Sequence, residues 1–155
     1  MHGKVLLLNI HRFNYDLMQI TNESPGILYL AGYLESRGYD ALVFQGEPSA
    51  ALDFIENEVK KSKILAAGFY CDYENTIEVF EMSALISEKY KTPVILGGPQ
   101  VSGFDARYIL GSGCLAAVYG EGELTLFGLL ECLYNGAGDW KKLPGIIFAG
   151  DSGAL

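Results

Sequence analysis

Few side chains in this sequence are equipped for chemistry of their own. There are two histidines, His2 at the start and His11 behind the first apolar run, and three cysteines, Cys71, Cys114 and Cys132, which are odd in number and far apart. Such spacing matches neither a disulfide framework nor the close cysteine pairs of a zinc site, so the thiols are read as reduced and mostly buried. No GxSxG elbow, HExxH pair or DxDxDG loop occurs, which removes the common serine-hydrolase, zinc-protease and calcium-loop readings. A phosphoacceptor receiver domain needs acidic residues after its first and third strands and a lysine after its fifth; only Asp72 is roughly placed. A flavodoxin needs a Ser/Thr/Gly-rich loop behind strand one, and NIHRFN (9–14) supplies none. What the sequence offers instead is glycine at particular places: Gly97-Gly98, followed by Pro99 and Gln100, and Gly120-Glu121-Gly122-Glu123.

These glycine runs fail as phosphate loops on physical grounds. Gly98 and Gly103 have the spacing of the first half of GxxxxGK[ST], but Phe104 and Asp105 stand where Lys and Ser/Thr would meet phosphate and magnesium. Gly111-Ser112-Gly113 with Ala116 spells GxGxxA, yet it precedes a strand instead of opening a helix, so its amides do not face a pyrophosphate. The run from Gly120 does open a helix, but Glu121 and Glu123 put two carboxylates where an anion would lie. A helix N-terminus favours each by about 0.3–1 kcal/mol, which accounts for them without a ligand. The glycines themselves admit two readings: tight turns, or bare backbone against which a large flat ligand lies.

The elements that must position these residues alternate along the chain. Residues 4–10 (KVLLLNI) are almost wholly apolar, as expected of a strand covered on both faces. After a loop (11–24), Ser24-Pro25 supplies a helix cap and a first-turn proline, Ile27, Leu30, Ala31 and Leu34 continue at helical spacing, and Gly38 stops the helix. Further strands are read at 39–44, 64–70, 93–96 and 115–119. Helices are read at 48–61, with Leu52, Ile55 and Val59 on one face, at 74–90 with Ile77, Phe80, Leu85 and Ile86 inward, at 105–110 and at 124–134. Five strand–helix pairs demand crossover connections and hence a parallel sheet with helices on both faces. The expected fold is α/β, flavodoxin-like and doubly wound, with five strands in the order 2-1-3-4-5; residues 145–148 (GIIF) offer an additional edge strand. In such sheets a ligand sits beyond the carboxyl ends of the strands. That singles out the residues behind each one: 9–14 with His11 among them, Gly46 and Glu47, 70–73 with Tyr70 and Cys71 among them, Gly97 to Gln100, and Gly120 to Glu123.

Composition narrows the partners. With 155 residues, half of them hydrophobic and 19% charged, the chain is read as one folded domain rather than a disordered segment. Its formal charge of −8 repels phosphate backbones, and no Lys/Arg cluster interrupts it, so nucleic acid and anionic membrane surfaces are not expected partners. No apolar run is long enough for a membrane span or a signal-peptide core, and the location is read as cytoplasmic.

Taken together, SPGILYLAGYLESRGYDALVF (24–44), ILAAGFYCD (64–72), PVILGGPQVSG (93–103), AVYGEGELTL (117–126) and LPGIIF (143–148) resemble the cobalamin-binding domain that precedes the catalytic domain in cobalamin-dependent radical SAM proteins. The ordered set is far more specific than any one fragment, and it spans nearly the whole chain. The resemblance implies a flavodoxin-like domain holding cobalamin at the carboxyl edge of its sheet, with the nucleotide tail in a slot alongside the strands. It places Gly97, Gly98 and Pro99 beside tail or corrin, Tyr70 and Cys71 at the exit of strand three, and Gln100 where many members carry a polar residue. Gly120, Glu121 and Gly122, with Glu123, match the GEGE signature, read as helix opening and domain contact more than direct ligation. Tyr70 is bulkier than the family's usual serine.

Cobalamin domains of the mutase and methionine-synthase kind carry DxHxxG, whose histidine binds cobalt. Here the stretch reads NxHxxN, with Asn9 in place of the orienting aspartate and Asn14 in place of the glycine. His11 is the one candidate metal ligand, and its surroundings favour the plainer role of a loop histidine bonded to backbone or water. The CxxxCxxC of a radical SAM domain is absent from these residues. S-adenosylmethionine and an iron–sulfur cluster are therefore expected only in a catalytic domain outside this sequence, with residues 1–149 as the cobalamin-binding domain and 150–155 as the linker. The resemblance implies radical modification of a substrate, often methyl transfer. Two readings stay open: a cofactor-binding domain, and a ligand-free interaction module for the catalytic barrel.

Overall fold

A computed structural model describes residues 3–11 and 24–149 of the chain. Its strands are β1 (Lys4–Ile10), β2 (Asp40–Gly46), β3 (Ile64–Tyr70), β4 (Val94–Gly97), β5 (Ala116–Val118) and β6 (Ile146–Phe148). The α-helices are α1 (Pro25–Ser36), α2 (Pro48–Lys61), α3 (Thr76–Tyr90), α4 (Ala106–Ser112) and α5 (Gly122–Asn135), and single 3-10 turns occupy Pro99–Gly103 and Trp140–Lys142. One sheet runs in the order β2-β1-β3-β4-β5-β6. β2, β1, β3, β4 and β5 are parallel, as the alternation of strands and helices requires.

The apolar run of β1 is what a central strand needs. Val5 to Ile10 are all buried, and their side chains alternate between two cores. Leu6, Leu8 and Ile10 pack with Phe69 and Leu96 against Ile55 of α2, Met82 and Ile86 of α3, and Ile109 of α4. Val5 and Leu7 pack with Ala66 and Ile95 against Ile27 and Leu34 of α1 and Leu126 and Leu129 of α5. Helices thus cover both faces, and the second of these layers, α1 with α5, matters for the site.

The structure realises the additional edge strand that the sequence offered at 145–148, and it departs from the sequence reading in α3. The sheet has a sixth strand: β6 pairs antiparallel with β5, and Tyr119 N–H donates to the Gly145 carbonyl at 2.9 Å to extend the pairing. The stretch after α5, which includes the 3-10 turn at Trp140–Lys142, carries the chain back to the carboxyl edge, so β6 starts beside the end of β5 and runs in the opposite direction. In α3 the inward face is Val79, Met82, Ser83 and Ile86, while Ile77 and Leu85 are 71% and 42% exposed. Ser83 is tolerated in the core because its hydroxyl donates to the Val79 carbonyl at 2.6 Å. An inward stripe judged from apolar side chains alone passes it over.

That assignment has a direct consequence for stability. Ile86→Ala removes a fully buried side chain and is expected to cost about 2–5 kcal/mol, whereas Ile77→Ala is expected to stay within about 0.5 kcal/mol. Urea denaturation of the two variants checks it; equal losses would contradict the orientation of α3.

Candidate functional site

Parallel pairing sets residues of neighbouring strands side by side, and on the α1/α5 face two cross-strand rows lack side chains at their centres. Leu7 pairs with Gly68 and Gly68 with Ile95; the next row toward the carboxyl edge pairs Tyr70 with Gly97. A Cβ on Gly68 would come within 3.0 Å of Leu7 Cδ2, whereas a Cβ on Gly97 would meet nothing within 4 Å. Ile27 and Leu30 of α1 and Leu126 of α5 stand opposite these rows. Between them lies a crevice enclosing about 740 Å³ of non-protein space, its open mouth included. Val118 closes one side, and Gly120, Glu121 and Gly122 line the opening at the start of α5.

The edge of this crevice is held by backbone contacts that only glycine permits. Gly98 adopts φ +100°, and a Cβ there would lie 2.6 Å from the Cys71 carbonyl oxygen. The approach is tight because Cys71 N–H donates to the Gly97 carbonyl at 2.7 Å and Gln100 N–H donates to the Cys71 carbonyl at 3.2 Å. β3 and β4 are thereby fastened together just beyond their last ladder residues. On the other side of β3, Asn75 Nδ2 donates to the carbonyls of Ile10 and Tyr70, both at 3.0 Å, and ties the exits of β1 and β3.

Tyr70 stands at the mouth. Burial raises its pKa above the usual phenol value, an effect that the nearby side chain of Ser24, the residue before α1, partly offsets. Ser24 N–H donates to Gln45 Oε1, which also accepts from Asn9 Nδ2, each at 3.2 Å. A polar chain thus runs from β1 through β2 to the start of α1. Ser24 does precede the helix with extended backbone and Pro25 behind it, but its side chain makes no cap bond.

Of the residues singled out from the sequence, Tyr70, Gly97, Gly98, Gly120, Glu121, Gly122 and Glu123 line the crevice together. Cys71 does not: it is fully buried in the opposite core, its Sγ 3.5 Å from Thr76 Oγ1, and burial pushes its thiol up to about 11. Pro99 and Gln100 lie in the 3-10 turn beyond the crevice wall. His11 follows β1, where its N–H donates to the Gly46 carbonyl at 3.0 Å, and it does not line the crevice. Residues 12–23, Asn14 among them, and the linker 150–155 fall outside the described residues. The inner wall built by Gly68, Leu7, Ile95, Val118 and Leu126 was not anticipated; a glycine inside a strand is the signal that points to it, since such a position marks close approach by a ligand or another backbone.

The chemistry of this site is that of a receptacle. Its deep walls are aliphatic, the neighbouring strand amides are spent in the sheet, and among the described residues no group of three His, Cys, Asp or Glu is placed to hold a metal. The removed side chains at Gly68 and Gly97 suit a flat, largely apolar group entering between sheet and helices, and in that respect the residues present fit the tail of a tetrapyrrole-type cofactor.

No protein-family model matches the chain, and no curated protein matches it either. Solved structures do. OxsB, a cobalamin-dependent S-adenosylmethionine radical enzyme solved with aqua-cobalamin bound, superposes with a TM-score of 0.79 at 18% identity over 97% of this chain and 21% of its own. TsrM from Kitasatospora setae, a radical S-adenosylmethionine methyltransferase solved with tryptophan substrate and aza-SAM, gives 0.74 at 20% identity over 98% of this chain and 29% of its own. The same enzyme with cobalamin and a [4Fe-4S] cluster bound gives 0.69 at 21% identity. The fold is shared with these enzymes. This chain spans less than a third of the length of either.

Gly98→Ala combines a left-handed backbone with a clash against a carbonyl, and is expected to destabilise by at least about 1–3 kcal/mol in chemical denaturation. Because the fold keeps the Cys71 thiol neutral, iodoacetamide at pH 8 should leave it unlabelled until the chain unfolds. In the unfolded chain it ionises near its ordinary value, so its contribution to stability is present below about pH 8.5 and declines as pH rises toward 11. Labelling at pH 8 followed by mass spectrometry, with half-exposed Cys132 as the internal comparison, reads the difference.

Proposed function

We propose that this chain is the cobalamin-binding domain of a radical S-adenosylmethionine enzyme. The observation that carries the proposal is the crevice at the carboxyl edge of the sheet. It is opened by Gly68 and Gly97, walled by α1 and α5, and set in a fold shared with enzymes solved with cobalamin bound. In this reading the nucleotide tail enters between the sheet and the two helices, and the corrin rests against the backbone at Gly97-Gly98 and Gly120 to Gly122. When bound, cobalamin supplies a cobalt–carbon bond through which a methyl group or other radical partner can be handled; the domain positions it. S-adenosylmethionine and the iron–sulfur cluster belong to a catalytic domain beyond these residues, and methyl transfer is the reaction type this reading favours.

The same edge supports a place for that catalytic domain. Tyr73 (80% exposed), Ile77, Leu124 (73%) and Tyr29 (74%) sit in or next to the first turns of α3, α5 and α1, which in a parallel sheet all begin at the strand exits. Several large apolar side chains sharing one end mark an interaction surface better than single ones do. The reading of a degenerate, ligand-free module calls for a crevice refilled by side chains, and among the described residues none refills it.

Titration of the purified domain with hydroxocobalamin should change the cobalamin spectrum and carry cofactor with protein through gel filtration. Neither effect at high micromolar cofactor would remove the proposal. Gly97→Trp fills open space and should abolish binding while leaving the unfolding midpoint near that of the natural chain. His11→Ala should leave the spectrum of bound cobalamin unchanged; a shift would instead make His11 the cobalt ligand.

A further inference from the structure

The inner crevice has a property that bears on which cobalamin-like molecules it accepts. Every side chain at its depth is aliphatic: Leu7 from β1, Ile95 from β4, Val118 from β5, Ile27 from α1 and Leu126 from α5. Each is at most 5% exposed. The polar lining groups sit elsewhere. Glu121 and Glu123 stand at the opening of α5, and Tyr70 stands at the mouth near Ser24. The strand backbones behind Gly68 pair with β1 and β4, so the floor offers no spare donor or acceptor from the ladder.

Such walls treat two flat heterocycles of similar size differently. A dimethylbenzimidazole or a phenolic ring presents mostly carbon edges and gives up little on leaving water. A purine presents ring nitrogens and an exocyclic amine, each of which loses its water and finds no partner in the slot. The penalty falls on the polar ring and is not recovered in any contact seen here.

Resting on the cobalamin-binding reading above, we infer that the domain selects among corrinoids by the base of the nucleotide tail, accepting apolar benzimidazole or phenolic bases and disfavouring adenine. The selecting residues are the five aliphatic side chains, with Gly68 providing the room between them. Discrimination comes from unpaired polar atoms of the wrong base rather than from shape.

The test is equilibrium binding, followed by absorbance, of the full 155-residue chain to four probes: cobalamin, a cresol-based corrinoid, the adenine-based corrinoid, and cobinamide, which has no tail. The expected result is comparable affinity for the first two, roughly ten- to a hundredfold weaker binding of the adenine form, and weak binding of cobinamide. Equal affinity for the adenine form and cobalamin overturns the selectivity while leaving cobalamin binding intact. Equal affinity for cobinamide overturns it too, by showing that the tail is not held in the slot. Binding of none of the four overturns the functional proposal and this inference with it. Leu126→Gln, which introduces a donor and an acceptor into one wall, should narrow the gap between adenine and benzimidazole forms by several-fold or more; an unchanged gap in a folded variant would count against the slot as the selecting element. Should that variant fail to fold, the titrations of the natural chain decide the matter alone.

Discussion

Everything described at the carboxyl edge depends on the register between β1, β3 and β4. Side chains alternate between faces along each strand, so a shift of one residue would carry Gly68 and Gly97 to the α2/α3/α4 side and bring Phe69 and Leu96 to face α1 and α5. The crevice would then be filled by the two largest side chains of the sheet centre. Register is held at both levels. Burial of Leu6, Leu8, Phe69 and Leu96 in one core and of Leu7 and Ile95 in the other makes any slip costly in apolar area. Beyond the ladder, the bonds from Cys71 N–H to Gly97 and from Gln100 N–H to Cys71 lock β3 to β4 where the site begins.

A receptacle made by leaving side chains out removes packing from the core, and the structure offsets that loss close by. Asn75 bridges β1 and β3 through two carbonyls that would otherwise lack partners at the strand ends, and its own carbonyl oxygen accepts Asp72 N–H at 2.9 Å. Asp72 in turn accepts from the N–H groups of Glu74 and Asn75, so the turn from β3 into α3 is fixed by its own side chains. The Asn9–Gln45–Ser24 chain does similar service on the crevice side, where buried polar groups need partners. The floor therefore lies between two hydrogen-bonded braces and can stay open without collapsing onto Leu7.

Much of the architecture was legible because its signals are strong and local. A fully apolar strand, Pro25 ahead of a helical stripe and Gly38 behind it each have one dominant physical reading. The strand exits therefore led to seven residues that do line the crevice. The errors and omissions trace to particular rules. Placing Tyr70 and Cys71 in one site overlooks that consecutive strand residues face opposite ways, and the alternation sends Cys71 to the far core. Gly68 went unweighed because attention to strand exits passes over strand interiors, where a missing side chain speaks for a neighbour's approach. The face of α3 was misjudged because Ser83 hides its polarity in a backbone bond, something composition does not record. The edge strand β6 is only three residues long and pairs only with β5, so its formation is settled by tertiary contact, including the Thr125 hydroxyl donating to the Pro144 carbonyl at 3.0 Å.

The distribution of polarity around the crevice also bears on how a ligand would be oriented. Glu121 and Glu123 are stabilised at the start of α5 by its free amides, and they keep that helix terminus from serving as an anion site. A phosphate-bearing tail thus gains nothing by approaching α5 and is steered instead toward the side of the opening bounded by Gly97, Gly98 and α1. An apolar ring can descend between Ile27 and Ile95, where among the described residues the position above Gly97 is open. The acidic opening and the aliphatic depth then act in the same sense: the first disfavours an anionic group at α5, and the second disfavours polar atoms below. What satisfies both is a large ligand that keeps its charge and hydrogen-bonding groups outside and inserts only a flat hydrophobic end. That requirement is stricter than the mere presence of glycine at strand exits, and it follows from which face each residue of β1, β3 and β4 presents.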